Sequence, residues 1–180
     1  SVYKQTMTRI EEEIRDGWKR IPKSEQGKTA VVVLADSLGG HLISNYIWDM
    51  QELLDQSHID DEVIEGKLPD GYDQVSLQKM RLFITTGCNI PLFVSGMTHI
   101  QAIHNDKWGY NFHWLNIFDY DDLLGWPMNP LGDYHNPNIR GLSYAKLVED
   151  QQINSYGGLR GYLLQSWTPD RKSTRLNSSH

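Results

Sequence analysis

Cysteine is almost missing from this 180-residue chain: Cys88 stands alone, so no internal disulfide can form. A reducing, cytoplasmic setting is therefore the expectation. Long apolar runs are also missing, none approaching the roughly 18 to 20 residues that a membrane span requires. The opening SVYKQTMTRIEEEIRDGWKR has no apolar signal-peptide core. No transmembrane segment is expected. Basic residues are scarce, 17 Lys and Arg against 23 Asp and Glu for a net charge of -6. That is the wrong sign for a phosphate-binding footprint and excludes nucleic acid as the natural partner. Internal repeats and low-complexity segments are absent. What is there, 39% hydrophobic and 22% charged residues, suits one globular domain with a full core.

The last stretch, residues 170–180, reads DRKSTRLNSSH and follows Pro169 with neither helical nor strand period. Read as codons it matches one frame of a widely used sequencing-library adaptor. It is expected to be a non-native, adaptor-derived tail, with residues 1–169 as the natural part. Setting it aside removes Arg171, Lys172 and Arg175 against only Asp170, which leaves the remainder more acidic still.

Along the natural part, Val2, Met7, Ile10, Ile14 and Trp18 recur at helical spacing among charged residues, predicting an amphipathic helix from Val2 to Arg20. After Pro22, the unbroken apolar run Thr29 to Ala35 predicts a central parallel strand buried on both faces. A second helix is predicted to run to Leu54, with Leu42, Ile43, Tyr46, Ile47, Met50, Leu53 and Leu54 on one broad face. Residues 56–78 read as a long surface connection. Further strands are predicted at Met80 to Thr86, Phe112 to Phe118 and Leu147 to Asn154, with a weak helix near Met97 to His104. Alternating strands and helices predict an α/β fold, a mostly parallel sheet with helices on both faces.

The most informative segment is Val31-Val-Val-Leu-Ala-Asp-Ser37-Leu-Gly-Gly40. A serine on a tight strand-to-helix turn holds its hydroxyl in a strained, exposed position. Small residues two before and two after it, here Ala35 and Gly39, let the backbones close. The following helix then starts beneath the serine, and the Leu38 N–H points where an oxyanion would form. The plainer alternative is that Ser37 caps the helix. With these residues the chain resembles the α/β-hydrolase superfamily, in particular lipase- and esterase-like serine hydrolases carrying His-Ser-Leu-Gly-Gly at this elbow. The resemblance implies Ser37 as nucleophile and Leu38 as one oxyanion-hole donor. It also aligns Leu82 to Phe93 with the next core strand and its loop, and Trp114 to Met128 with the strand and loop that deliver the acid. Asp36 stands where the family most often has His, a departure that bears on substrate preference.

A serine hydroxyl needs a base, and the base a carboxylate to orient it. The resemblance places the acid in a loop reading Asp-x-Leu, which Asp122-Leu123-Leu124 matches best. Asp121 and Asp119 remain alternatives. A calcium loop fails because the alternating oxygen ligands break at Leu123. In the family the histidine follows the acid, yet only His135 and His180 do so here. His135 precedes the last predicted strand and His180 lies in the tail. The base is thus expected beyond Trp167-Thr168-Pro169, and the segment giving the second oxyanion N–H before Val2. The sequence as given then reads as a partial, inactive hydrolase core. His41, His58, His99, His104 and His113 precede the acid loop and read as structural, His99 and His104 being five apart where paired helical ligands want four. Cys88 reads as a buried small hydrophobe, and Trp126 as a packing residue that could line an acyl pocket. No cofactor or metal is implied. The expected function is hydrolysis of a small-molecule or lipid ester through Ser37. The alternative is a non-catalytic α/β-hydrolase-like binding or interaction domain. Phosphate binding at the same helix start lacks the Walker lysine and spacing.

Overall fold

The computed structural model describes residues 1–59, 62–63, 71–97, 100, 102–106, 109–131 and 144–154. Helix α1 spans Val2–Lys19 and buries Met7 and Trp18, and Pro22 opens the short helix α2, Lys23–Gln26. Strand β1, Val31–Asp36, leads through Ser37 into α3, Leu38–Ser57. Two minimal strands, β2 (His58–Ile59) and β3 (Glu62–Val63), pair antiparallel, and the single turn of α4, Tyr72–Val75, follows. The remaining elements are β4 (Met80–Thr86), α5 (Ile90–Val94), β5 (His113–Phe118), a 3₁₀ turn at Asn129–Leu131, α6 (Tyr144–Leu147) and β6 (Val148–Gln152). Strands β1, β4, β5 and β6 form one sheet in the order β1-β4-β5-β6, every pair parallel. The fold is α/β.

One face of the sheet makes the core. Phe83 and Trp114 are fully buried with ring centroids 4.6 Å apart, and Tyr144 meets Trp114 edge-on. Ala35 and Thr85 on that face lie against the start of α3. The other face carries Val32 and Leu34, 61% and 71% exposed, followed by the half-buried Leu82, Ile84, Leu115 and Ile117.

This corrects the reading of the Val31-to-Ala35 run as a central strand buried on both faces. In the described sheet β1 is an edge strand paired only with β4. An apolar groove of about 960 Å³ runs along that edge, between Val32 and Leu34 of β1 and Val2, Ile10 and Ile14 of α1. Residues 56–78 are also not surface throughout, since Tyr72, Val75, Ser76 and Leu77 are buried. Three tyrosine hydroxyls satisfy backbone carbonyls there or beside it: Tyr46 donates to Val75 (2.9 Å), Tyr72 to Met50 and Tyr110 to Ser76. The described residues between 97 and 104 contain no helix; the helix of that region is α5, earlier in the chain. His99, Trp108, His135, Trp167 and the tail at 170–180 lie outside the described residues.

A polar chain crosses the core side of the sheet. The Trp114 indole donates to the Thr85 hydroxyl (3.0 Å), which donates to Asn116 Oδ1 (2.9 Å). Asn116 Nδ2 donates to Asp150 Oδ1 (2.8 Å) and to the Trp126 carbonyl (3.1 Å). Asp150 in turn accepts the N–H groups of Met128 (2.8 Å) and Asn129 (2.7 Å). The loop after β5 is thereby tied to β6. Buried polar groups left without partners are costly, so Asp150→Ala is expected to lose about 3 kcal/mol of stability in urea unfolding. A loss below about 1 kcal/mol would mean that other contacts hold the loop.

Candidate active site

Ser37 sits in the single-residue turn between β1 and α3 with φ 51°. That left-handed conformation is strained for a residue with a Cβ. Its N–H is committed to the Thr86 carbonyl (2.8 Å) and its carbonyl to the Gly40 N–H (3.2 Å). The backbone is thus pinned from both sides while the Ser37 side chain is half-buried, and among the described residues its Oγ has no hydrogen-bond partner. Helix capping does not describe this residue, because an N-cap serine sits in the extended region and accepts from a first-turn N–H. The Leu38 N–H belongs to the opening turn of α3, whose donors have no intrahelical partner.

The tight approach behind the turn is made by glycine. A Cβ on Gly40 would stand 3.0 Å from Cys88 Sγ and 3.1 Å from Thr85 Cγ2, whereas one on Gly39 would meet only Ala35 Cβ at 3.7 Å. Ala35 and Gly39 hold the two small-residue positions around Ser37, but the closest contact falls one residue later, at Gly40. If the turn stores strain, Ser37→Gly should be about 1 kcal/mol more stable than Ser37→Ala, since glycine alone adopts this φ without penalty. Equal unfolding midpoints for the two variants would argue against the strained turn.

The acid loop follows β5. The Asp122 N–H donates to the Asp119 carbonyl (3.0 Å), and Asp122 Oδ1 accepts the Leu124 N–H (2.9 Å). Its other oxygen is directed at two glycines. Asp122 Oδ2 lies 3.2 Å from where a Cβ on Gly87 would stand and 2.5 Å from the equivalent point on Gly125. Gly87, at φ 54°, directly follows Thr86, whose carbonyl holds the Ser37 N–H. The Asp122 carboxylate is therefore brought to the C-terminal end of β4, on the Ser37 side, where open α/β sheets gather their chemistry. Asp119 and Asp121 stay in the loop's own turn, the Asp121 N–H donating to Asp119 Oδ1 (3.0 Å), and Asp121 is exposed. The Trp126 N–H donates to the Cys88 carbonyl (3.2 Å) and its indole to the Leu123 carbonyl (2.9 Å), so this half-exposed ring closes the loop over the end of β4.

Asp36, the last residue of β1, adds a second carboxylate. Its Oδ1 accepts the Thr86 hydroxyl and lies 3.8 Å from the same Gly87 Cβ position that Asp122 approaches. Cys88 is fully buried, and burial pushes its thiol up to about 11, which suits packing and not nucleophilic attack. The rings of His41 and His113 are engaged elsewhere. His41 stacks on Phe93 at 4.4 Å with Nε2 3.1 Å from the Asn45 amide, and partial burial holds its pKa below the ordinary value. His113 Nε2 is 3.0 Å from Glu149, and the backbone N–H of His104 donates to the Gln51 side chain (2.9 Å). Among the described residues no cluster of three or more His, Cys, Asp or Glu could hold a metal ion, and no helix is long and apolar enough to cross a membrane. Asn116 and Asp150, which brace the loop that carries Asp122, were not singled out in the sequence. The available signal was a polar residue at alternate, inward positions of two predicted strands.

Comparison of the chain with protein-family models, curated proteins and solved structures found no match.

Proposed function

We propose that Ser37 and Asp122 are the nucleophile and acid of an α/β-hydrolase-type serine hydrolase acting on ester or similar acyl bonds. The observation that carries the reading is Ser37 itself, held at φ 51° between strand and helix with its Oγ unpartnered among the described residues. In this reading Ser37 Oγ attacks the acyl carbon, and the Leu38 N–H donates to the oxygen that gathers negative charge. Asp122 holds the imidazole that takes the serine proton, a histidine lying outside the described residues and, by the resemblance, after β6. The imidazolium returns that proton to the alcohol oxygen as its bond to the acyl carbon breaks, and the acyl-serine is then hydrolysed by water activated by the same imidazole, which frees the acid and restores the Ser37 hydroxyl.

The test is the time course of a 4-nitrophenyl ester with the full-length protein. A covalent route with slow deacylation releases a burst of nitrophenol approaching one per chain before the steady rate. Absence of any turnover above buffer would refute the reading and favour a non-catalytic domain that keeps the turn as architecture.

A further inference from the structure

Building on the hydrolase reading, we infer that Asp36 makes this site discriminate against anionic acyl groups, so that its substrates are esters of uncharged or cationic acids. Asp36 is the immediate neighbour of the nucleophile, and its carboxylate is fixed by the Thr86 hydroxyl. It converges with Asp122 on the flank of Gly87, at 3.8 Å and 3.2 Å from one point. Two negative charges therefore stand on one side of the reacting serine. Among the described residues neither forms an ion pair. The cationic residues of β4 and its approach, Lys79 and Arg81, stand at the opposite end of that strand.

An imidazole lying against Asp122 offsets that carboxylate when it takes the serine proton, but it leaves Asp36 in place. An acyl group bonded to Ser37 carries any distal carboxylate to within several ångströms of Asp36. At such a distance in partly solvated surroundings, like charges cost enough to lower a rate about three- to tenfold. The exposed residues of the neighbouring elements add no counter-charge: Leu38 at the start of α3, Phe93 of α5, and Leu123 and Trp126 of the acid loop are large apolar side chains.

The experiment compares two 4-nitrophenyl esters of matched length, the neutral pentanoate and the anionic glutarate monoester, with the full-length protein and with Asp36→Asn. Asparagine keeps the acceptor for Thr86 and removes the charge. The ratio of kcat/KM for the anionic ester over the neutral one is expected to rise about three- to tenfold in Asp36→Asn. In the unsubstituted protein the same ratio is expected to rise between about 0.05 M and about 0.5 M salt as screening weakens the repulsion. The salt arm needs no variant and stands even if Asp36→Asn does not fold. A ratio unmoved by both the substitution and salt overturns the inference and leaves the hydrolase reading intact. Failure of the unsubstituted protein to turn over either ester overturns the hydrolase reading and, with it, the inference.

Discussion

Ser37→Ala is expected to lower the turnover of an activated ester by about 10⁶-fold in kcat, to little more than the background that binding and the oxyanion donor alone sustain. The size of the effect follows from what the residue supplies. Alanine at position 37 retains the N–H to Thr86 and the carbonyl to Gly40, so the turn and the start of α3 keep their backbone bonds. Only the attacking oxygen is lost. KM should change little, because only the hydroxyl is removed and the Leu38 N–H remains. A decrease of less than about tenfold would assign the chemistry to another group.

Asp122→Asn is expected to cost about 10⁴-fold in kcat, because an amide of the same shape cannot stabilise the imidazolium or enforce the tautomer that the base needs. Asp119→Asn and Asp121→Asn should each stay within several-fold of the parent. The three residues lie within four positions of one another, so composition and local charge change almost identically in the three variants. They differ in place. Asp122 alone directs a carboxylate oxygen at Gly87 and Gly125, while Asp119 closes the loop's own turn and Asp121 faces solvent. If Asp121→Asn or Asp119→Asn shows the large loss instead, the acid assignment is wrong even though the serine stands.

The helices and strands that could be read from the sequence are those whose periodicity is local. α1, α3, β4 and β5 each carry an unbroken apolar pattern of one period, and their observed bounds lie within three residues of the pattern's ends. The failures have tertiary causes. Val-Val-Val-Leu at 31–34 has no alternation, so nothing in it distinguishes a strand covered on both faces from an edge strand with Val32 and Leu34 exposed. Tyr72 to Leu77 lies next to Asp, Gly and Pro and looks solvated. Its burial depends on hydroxyls arriving from Tyr46 and Tyr110, more than 25 residues away in either direction. At the site, the Ser37 turn was legible because the strand, the serine and the small residues that signal it lie within a few positions, although the Thr86 carbonyl that holds its N–H does not. The convergence of Asp36 and Asp122 on Gly87 was not, because it depends on the register of β1 with β4 and on the path of the loop after β5. The brace through Asn116 and Asp150 was hidden for the same reason: the two residues are cross-strand partners, 34 positions apart.

The most direct measurement is to locate the adduct of a serine-directed fluorophosphonate probe on the full-length protein by peptide sequencing in a mass spectrometer. The tryptic peptide from Thr29 to Lys67 contains Ser37 together with Ser44 and Ser57, so fragment ions must assign the modified residue. The account predicts a single phosphonylated site at Ser37 and no modified peptide from Ser37→Ala. No adduct on the folded protein, or an adduct at Ser44, Ser57 or any other residue that persists in Ser37→Ala, would contradict it.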